Sequence, residues 1–237
     1  ALQQQRVVEP HEHILRAKVL SNLGQCYLAT GEHDEADIYY SEAYELFDKT
    51  VGKRSPLFGM QAWACGNLRC AEGRYAEALP LLGEALYVET VKDGLSVSEM
   101  TKLADQILHS LHESRAELGE RNSQANLEPI KRALNTLIQD PRWDELESSI
   151  DLAVLSHKMA LIYVAARWSG SGEQLAARSF SSQAVAMLRE LRAAGGASLR
   201  EAQQWLVQAE AVQSVLRPPE PPPGAPQLGL AWSESAR

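Results

Sequence analysis

The fold is decided by residues 24–52, GQCYLATGEHDEADIYYSEAYELFDKTVG, and by their counterpart at residues 66–94, GNLRCAEGRYAEALPLLGEALYVETVKDG. Small residues recur in the two stretches at a constant offset of 42 positions: Gly24 with Gly66, Gly31 with Gly73, Ala36 with Ala78, Ala43 with Ala85, and Gly52 with Gly94. Self-similarity at such a period indicates a solenoid, in which each repeat is one supersecondary unit stacked on its neighbour. The offset therefore favours a binding scaffold over a catalyst.

The composition supports helices and limits the classes of partner. The 237 residues suffice for one or two domains, and the 45% of hydrophobic and 23% of charged residues are ordinary for a globular protein. Aromatic residues are sparse at 6%, and Ala and Leu dominate, which favours helix over sheet. The net charge of -8 argues against a nucleic-acid surface and against binding to anionic membranes.

Cysteine usage and the start of the chain bear on the compartment. The three cysteines, Cys26, Cys65 and Cys70, are an odd and low count that fits free thiols in a reducing, intracellular compartment. The chain starts at Ala1 without Met, has no secretory apolar segment and has no run long enough to insert in a membrane. Whether Ala1 is a processing site or an arbitrary first residue stays open. We expect an organelle such as the mitochondrion rather than the cytosol.

Helical periodicity and turn residues predict the organisation of the first 95 residues. Residues 1–10 form a polar leader, and residues 11–95 form two helical hairpins with helices at 11–29, 34–49, 56–71 and 75–91. Asp34 is the predicted N-cap of the second helix, and Gly31 is predicted to end the first in a left-handed conformation. Pro80 lies inside the fourth predicted helix, where it removes one backbone hydrogen bond.

The second half reads as degenerate repeats followed by a tail. Residues 96–216 are predicted to hold helices at about 96–118, 126–139, 143–168, 173–194 and 198–216, with a capping box at 96–99 and Ser198 as the last cap. Residues 152–191 have the spacing of a decayed repeat. Residues 217–237 are rich in proline and predict an extended tail, which we expect to pack on the solenoid or on a neighbouring subunit with Trp232 as its docking residue.

The two repeats resemble tetratricopeptide repeats. The resemblance rests on residues of both repeats: Leu20, Leu23, Gly24, Tyr27, Gly31, Ala36, Tyr40 and Ala43 in the first, and Gly66, Gly73, Tyr75, Ala78, Leu82 and Ala85 in the second. Cys65 and Arg69 depart from the pattern, which has Leu and Tyr there. The 42-residue period and the linker Gly52-Lys53-Arg54-Ser55-Pro56 are similar to the kinesin-light-chain type of repeat. The resemblance implies an all-α, right-handed superhelical α-solenoid of antiparallel helix pairs.

The resemblance also implies a site for proteins or peptides on the concave face, which the first helices line. Seven residues are expected on that face by alignment with the family: Lys18, Ser21, Gln25, Met60, Trp63, Asn67 and Cys70. The carboxylate-clamp subclass has Lys and Asn where this chain has Ser21 and Gln25, so binding of chaperone C-termini is not expected. Asn67 matches an Asn that is frequent in kinesin-light-chain repeats.

Catalytic and metal chemistry have little support. His109 and His112 lie three residues apart beside Glu113, but no third ligand is indicated, and Cys65 and Cys70 lack CxxC spacing. Nucleotide-binding and nucleophile-elbow motifs are absent. We therefore expect a non-catalytic scaffold subunit of a multi-protein complex, with other protein subunits as partners and no cofactor, metal or small-molecule substrate. The alternative is a peptide or cargo adaptor of kinesin-light-chain type.

Overall fold

Antiparallel helices packed side by side build the whole described chain. The computed structural model describes residues 10–116, 123–168, 170–194 and 199–216, and these hold ten α-helices, one 3-10 turn and no strand. The helices are α1 Pro10–Thr30, α2 His33–Thr50, α3 Pro56–Ala71, α4 Tyr75–Val91, α5 Val97–Glu113, α6 Ser123–Ile138, α7 Pro141–Asp144, α8 Ile150–Ala165, α9 Ser171–Ala194 and α10 Leu199–Leu216. Pro10, the last residue of the predicted leader 1–10, begins α1, and the other leader residues, the cap Ser198 and the tail with Trp232 lie outside the described residues.

The predicted all-α, tetratricopeptide-like solenoid is confirmed. Helix α1 pairs with α2, and α3 pairs with α4, while α2 packs on α3 and α4 packs on α5. One continuous apolar core runs from Ala17 in α1 to Ala209 in α10. From α1 to α5 each helix therefore packs its apolar stripe against the next, as the period requires.

Four glycines at the predicted 42-residue spacing set the turns of the first two hairpins. Gly31 and Gly73 follow the first helix of each hairpin with φ of +84° and +73°, and Gly52 and Gly94 follow the second helix with φ of +76° and +79°. After α1 the N–H of Glu32 donates to the carbonyl of Tyr27 at 2.9 Å, which closes the helix end. Glycine suits these positions because it has no Cβ to strain in the left-handed region.

The small residues of the repeat lie where two helices come closest. A Cβ added to Gly24 would lie 2.5 Å from the Tyr40 ring, and one added to Gly66 would lie 2.9 Å from a methyl of Leu82. The two pairs are related by the same offset of 42 residues. The repeat glycines thus let the two helices of each hairpin pack closely.

Helix α4 is the centre of the structure. It packs against α3, α5 and α6, and buried residues occur all around it, including Leu79, Leu82 and Leu86. The helix continues through Pro80. A helix that is apolar on every side needs several neighbours to cover it, and α4 has three.

Helix α6 supplies the third of these neighbours, in place of a regular partner for α5. A Cβ on Gly83 of α4 would lie 2.7 Å from the backbone nitrogen of Ile130 in α6, so the two backbones nearly touch. Arg132 of α6 completes the contact, with its guanidinium 2.5 Å from a Glu84 carboxylate oxygen and 4.2 Å from the centre of the Tyr87 ring. The regular alternation of helix pairs therefore ends at α5.

The predicted long helix at 143–168 was wrong. The chain instead forms the short α7, leaves the helical conformation after Asp144, and starts α8 at Ile150. Ser149 explains the second start because its Oγ accepts a hydrogen bond from the N–H of Leu152 at 3.1 Å. The break lets Trp143 reach the core, where its indole N–H donates to Gln183 Oε1 at 2.7 Å.

Two other predicted helix ends also moved. Helix α2 starts at His33 with Glu32 at the cap position and no side-chain cap hydrogen bond, so the predicted Asp34 cap was wrong. Helix α5 ends at Glu113 and continues as a 3-10 turn, Ser114–Ala116, rather than reaching residue 118. Half of the predicted capping box at 96–99 is present, since Ser96 Oγ accepts from the N–H of Glu99 while the Glu99 carboxylate pairs with Lys102.

Arg142 closes the exposed end of α4. Its guanidinium donates to the carbonyl oxygens of Lys92 at 2.8 Å and Thr90 at 3.0 Å, which otherwise lack helical partners. Asp140 holds the same guanidinium at 2.6 Å, and hydrogen bonds from Arg142 lower the pKa of the Asp140 carboxyl. Residues far apart in the chain thus terminate the central helix.

Helices α8 and α9 form a further hairpin at the place of the predicted decayed repeat. Ala176 and Phe180 are buried there, and Phe180 contacts Trp143 with ring centres 5.9 Å apart. The turn after α8 has Arg167 at φ of +54°, the one non-glycine residue with positive φ in the described ranges. Arg167 therefore adopts the left-handed conformation that Gly31 and Gly73 adopt in the turns of the first two hairpins.

We expect Gly83→Ala to destabilise the protein by about 1–3 kcal/mol, because the added methyl meets backbone atoms of α6 that cannot rotate away. Urea unfolding followed by circular dichroism measures the change. Gly172→Ala is the matched control, since a Cβ there has open space, and we expect it to change stability by no more than about 0.5 kcal/mol. Equal effects of the two substitutions would contradict the close α4–α6 packing.

We expect Arg167→Gly to stabilise the protein by roughly 1 kcal/mol, because an exposed side chain is lost while the left-handed strain is relieved. Gly73→Ala should act in the opposite direction by a similar amount, since it places a Cβ at φ of +73°. Both changes are measured by thermal and urea unfolding. A destabilising Arg167→Gly would show that the arginine side chain holds the turn.

Candidate functional site

An open groove crosses α1, α3 and α5, which are the first helices of three successive repeats. It has a volume of about 630 Å³ and is lined mainly by α1 and α3, with the C-terminal end of α4 and the start of α5 closing one side. The stacking of α1, α3 and α5 produces this surface, because their partner helices α2 and α4 lie on the other layer. The groove is the concave surface that the repeat pattern predicts.

The structure brings together five of the seven residues predicted on this surface. Ser21 and Gln25 of α1 and Met60, Trp63 and Asn67 of α3 all line the groove. The other two do not line it: Lys18 is exposed on α1, and the Cys70 thiol lies 3.5 Å from Ser110 Oγ. Their role in binding a partner remains a prediction.

The apolar part of the groove is Met60 and Trp63. Met60 has 68% of its surface exposed, although its neighbours in the sequence, Gly59 and Gln61, are buried. Trp63 is half-buried one turn further along the same face. A thioether and an indole side by side offer an adaptable apolar surface.

Gln106 of α5 fixes the orientation of two groove residues. Its Oε1 accepts from the Trp63 indole N–H at 2.5 Å, and its Nε2 donates to Asn67 Oδ1 at 2.7 Å. Both ends of one amide are therefore engaged across the α3–α5 contact. Because Asn67 accepts through its oxygen, its amide nitrogen keeps donors for another group.

Sequence reasoning missed Gln106, although a signal for it existed. Asn22 and Ala64 both line the groove, and residue 106 follows them at the same offset of 42 residues. The third cycle of the repeat was treated as degraded, so its first helix was not carried onto the concave face.

The charged groups at the groove are paired. Lys92 forms an ion pair with Glu89, and Glu99 Oε1 is 2.8 Å from Lys102 Nζ. The lining residues Ser21, Asn22, Gln25 and Asn67 add neutral hydrogen-bonding groups. The lysine in the lining, Lys92, is thus already paired with an acidic neighbour.

The histidines and cysteines weighed as catalytic candidates are dispersed. The His109 ring packs edge-on against Tyr75 with centres 5.3 Å apart, while His112 is exposed and contacts Glu113. In the part of the chain that the structure describes, no three His, Cys, Asp or Glu side chains are grouped as metal ligands. Burial raises the pKa of the Cys65 thiol to about 12, which keeps it protonated and a poor nucleophile.

Comparison with known protein families gives a match in the first hairpin. Residues 1–49 match the sequence model of the tetratricopeptide repeat, which covers α1 and nearly all of α2. No curated protein matches the sequence. The match supports a tetratricopeptide-repeat protein, a type that generally binds other proteins. Among the described helices, none is long and apolar enough to cross a bilayer.

We expect Gln106→Ala to release Trp63 and Asn67 and to destabilise the protein by about 1 kcal/mol, because the indole N–H and the Asn67 oxygen lose their partner. The Trp63 indole proton resonance, assigned with Trp63→Phe, should move upfield and exchange faster with solvent. Gln25→Ala on the exposed side of the groove is the control and should leave that resonance in place. An unchanged indole signal in Gln106→Ala would contradict the hydrogen bond.

Proposed function

We propose that the protein is a non-catalytic scaffold subunit that holds partner proteins within a larger multi-protein assembly through its concave groove. The observation that carries the proposal is the groove itself, in which Met60 is exposed beside Trp63. Contiguous apolar surface in a concavity typically marks a site of interaction.

The lining favours an extended polypeptide as the bound element. An extended chain presents backbone N–H and C=O groups in a row, and Asn22, Gln25 and Asn67 offer amides that can bond to either. Met60 and Trp63 would accept one apolar side chain of the partner. Because Glu89 and Glu99 are each paired with a lysine, charge contributes little to this recognition.

Other classes of partner have less support. The net charge of -8 opposes nucleic acid and anionic membranes. We propose protein subunits as the partners, with no cofactor and no small-molecule substrate. The three free cysteines support a reducing intracellular compartment, and we propose an organelle such as the mitochondrion ahead of the cytosol.

A peptide or cargo adaptor of kinesin-light-chain type is the second candidate. Asn67 favours it, because this residue lines the groove with its oxygen held by Gln106 and its amide nitrogen left for a ligand. The two functions differ in the interface. A scaffold subunit has permanent interfaces of roughly 2,000 Å² or more, whereas an adaptor binds short peptides reversibly at about micromolar affinity.

The test is affinity purification of the tagged protein from native extract, with size-exclusion chromatography and mass spectrometry. We expect a stable, stoichiometric complex that survives gel filtration. Met60→Glu should reduce the recovered partners at least tenfold, because it places a charge on the apolar part of the groove. Ile38→Glu is the matched control, since Ile38 is 66% exposed on α2 outside the groove.

Elution near 26.1 kDa with exchanging, substoichiometric partners that Met60→Glu abolishes would favour the adaptor over the scaffold. Recovery of the same partners by the wild type and by Met60→Glu would exclude the groove as the binding site and contradict both functions as argued here.

A further inference from the structure

Helix α1 carries an exposed apolar stripe on the side that faces away from the solenoid. Leu15, Val19 and Leu23 follow one another at four-residue spacing and are 48%, 58% and 39% exposed. Exposed Cys26 extends the same stripe by one turn. Together these residues make a continuous apolar surface rather than isolated exposed side chains.

In the next two repeats the corresponding side of the first helix is buried. At the offset of 42 residues, Val19, Leu23 and Cys26 correspond to Gln61, Cys65 and Leu68 of α3, which are at most 9% exposed. Helix α2 covers them there, and the carbonyl of Tyr40 accepts a hydrogen bond from Gln61 Nε2 at 3.0 Å. The next offset reaches Leu103, Ile107 and Ser110 of α5, each 0% exposed. A helix is therefore the element that fits on the stripe of α1.

The other end of the solenoid presents such a helix. Helix α10 buries Ala202, Leu206 and Ala209 toward its neighbours, and it exposes Val207 by 66% and Val215 by 72% on its outer side. With exposed Ala211 between them, these residues form a second stripe at the same four-residue spacing. The spacing of the two stripes matches turn for turn.

The residues beside the stripes permit contact between identical chains. Each stripe is flanked by exposed charges of both signs, Glu12 and Arg16 on α1 and Arg200 and Glu201 on α10. Gln203, Gln204 and Gln208 beside the α10 stripe are exposed and uncharged. A second copy therefore meets no row of like charges at this contact, although each chain carries a net charge of -8.

We propose that the α10 stripe of one chain docks on the α1 stripe of a second copy, so that the solenoids associate head to tail. The contact is heterologous, because the two surfaces differ, and it leaves one free stripe at each end of a dimer. Four side chains of α1 and three of α10 make an interface smaller than that of stable complexes, which begin at about 1,200 Å², so the association depends on concentration.

The experiment is sedimentation of the full chain over a range of about 10 to 500 μM, a range chosen for weak association. We expect the average mass to rise with concentration above the 26.1 kDa of one chain, with species beyond the dimer at the upper end. Val19→Asp and Val207→Asp should each lose this rise, because each places a carboxylate in the apolar contact. Ile38→Asp, equally exposed on α2, is the control and should associate like the wild type.

An equal mixture of Val19→Asp and Val207→Asp provides the decisive arm. The first variant keeps an intact α10 stripe and the second keeps an intact α1 stripe, so the mixture should form dimers and nothing larger. A wild type that stays monomeric at every concentration would overturn the proposal. A mixture that stays monomeric while the wild type associates would overturn it too, because the two intact stripes would then fail to join. Undiminished association of either variant alone would also overturn it, because the contact would then join two identical stripes. Circular dichroism confirms that each variant is folded.

Discussion

The near-contact between the backbones of α4 and α6 is the constraint on which the rest of the structure depends. A helix that is apolar all around, as α4 is, cannot remain in a two-layer solenoid with one face toward water. Because Gly83 has no Cβ, α6 can lie so close to α4 that an added methyl group would meet the backbone of α6. Glu84 forms an ion pair with Arg132 at the edge of that contact. In the third cycle α6 packs on α4 instead of pairing with α5, and this packing buries the second helix of the second cycle.

The rearrangement has a consequence for the binding surface. Because α6 lies on α4, helix α5 is free of a hairpin partner of its own and packs instead between α4 and α8. Its position presents Gln106 toward α3, where the amide holds Trp63 and Asn67. The irregular part of the chain thus supports the groove from one side, while the regular repeats supply most of its lining.

The sequence predicted those features that depend on local chemistry repeated at a fixed offset. The turn glycines and the first four helices follow from residue type and spacing alone. The long helix at 143–168 was wrong because its apolar pattern outweighed the competing cap at Ser149, whose hydroxyl satisfies the first turn of α8. The destination of α6 depends on tertiary packing, although a glycine in the interior of a helix, at Gly83, was a signal of close approach. Gln106 could have been placed at the groove by continuing the 42-residue offset into the third cycle. That cycle lacks the glycines that mark the first two, so the offset was not continued.

The contact of α4 with α6 also changes how the molecule is expected to hold together under stress. In a linear array of repeats each unit is coupled to its two neighbours, so the ends fray first and the loss spreads one unit at a time. Here the second hairpin is joined to elements on both sides and, through Arg142, to a segment some 50 residues further along the chain. The helices around α4 are therefore expected to unfold as one cooperative unit. Unfolding of this unit would disrupt the groove and the middle of the protein together.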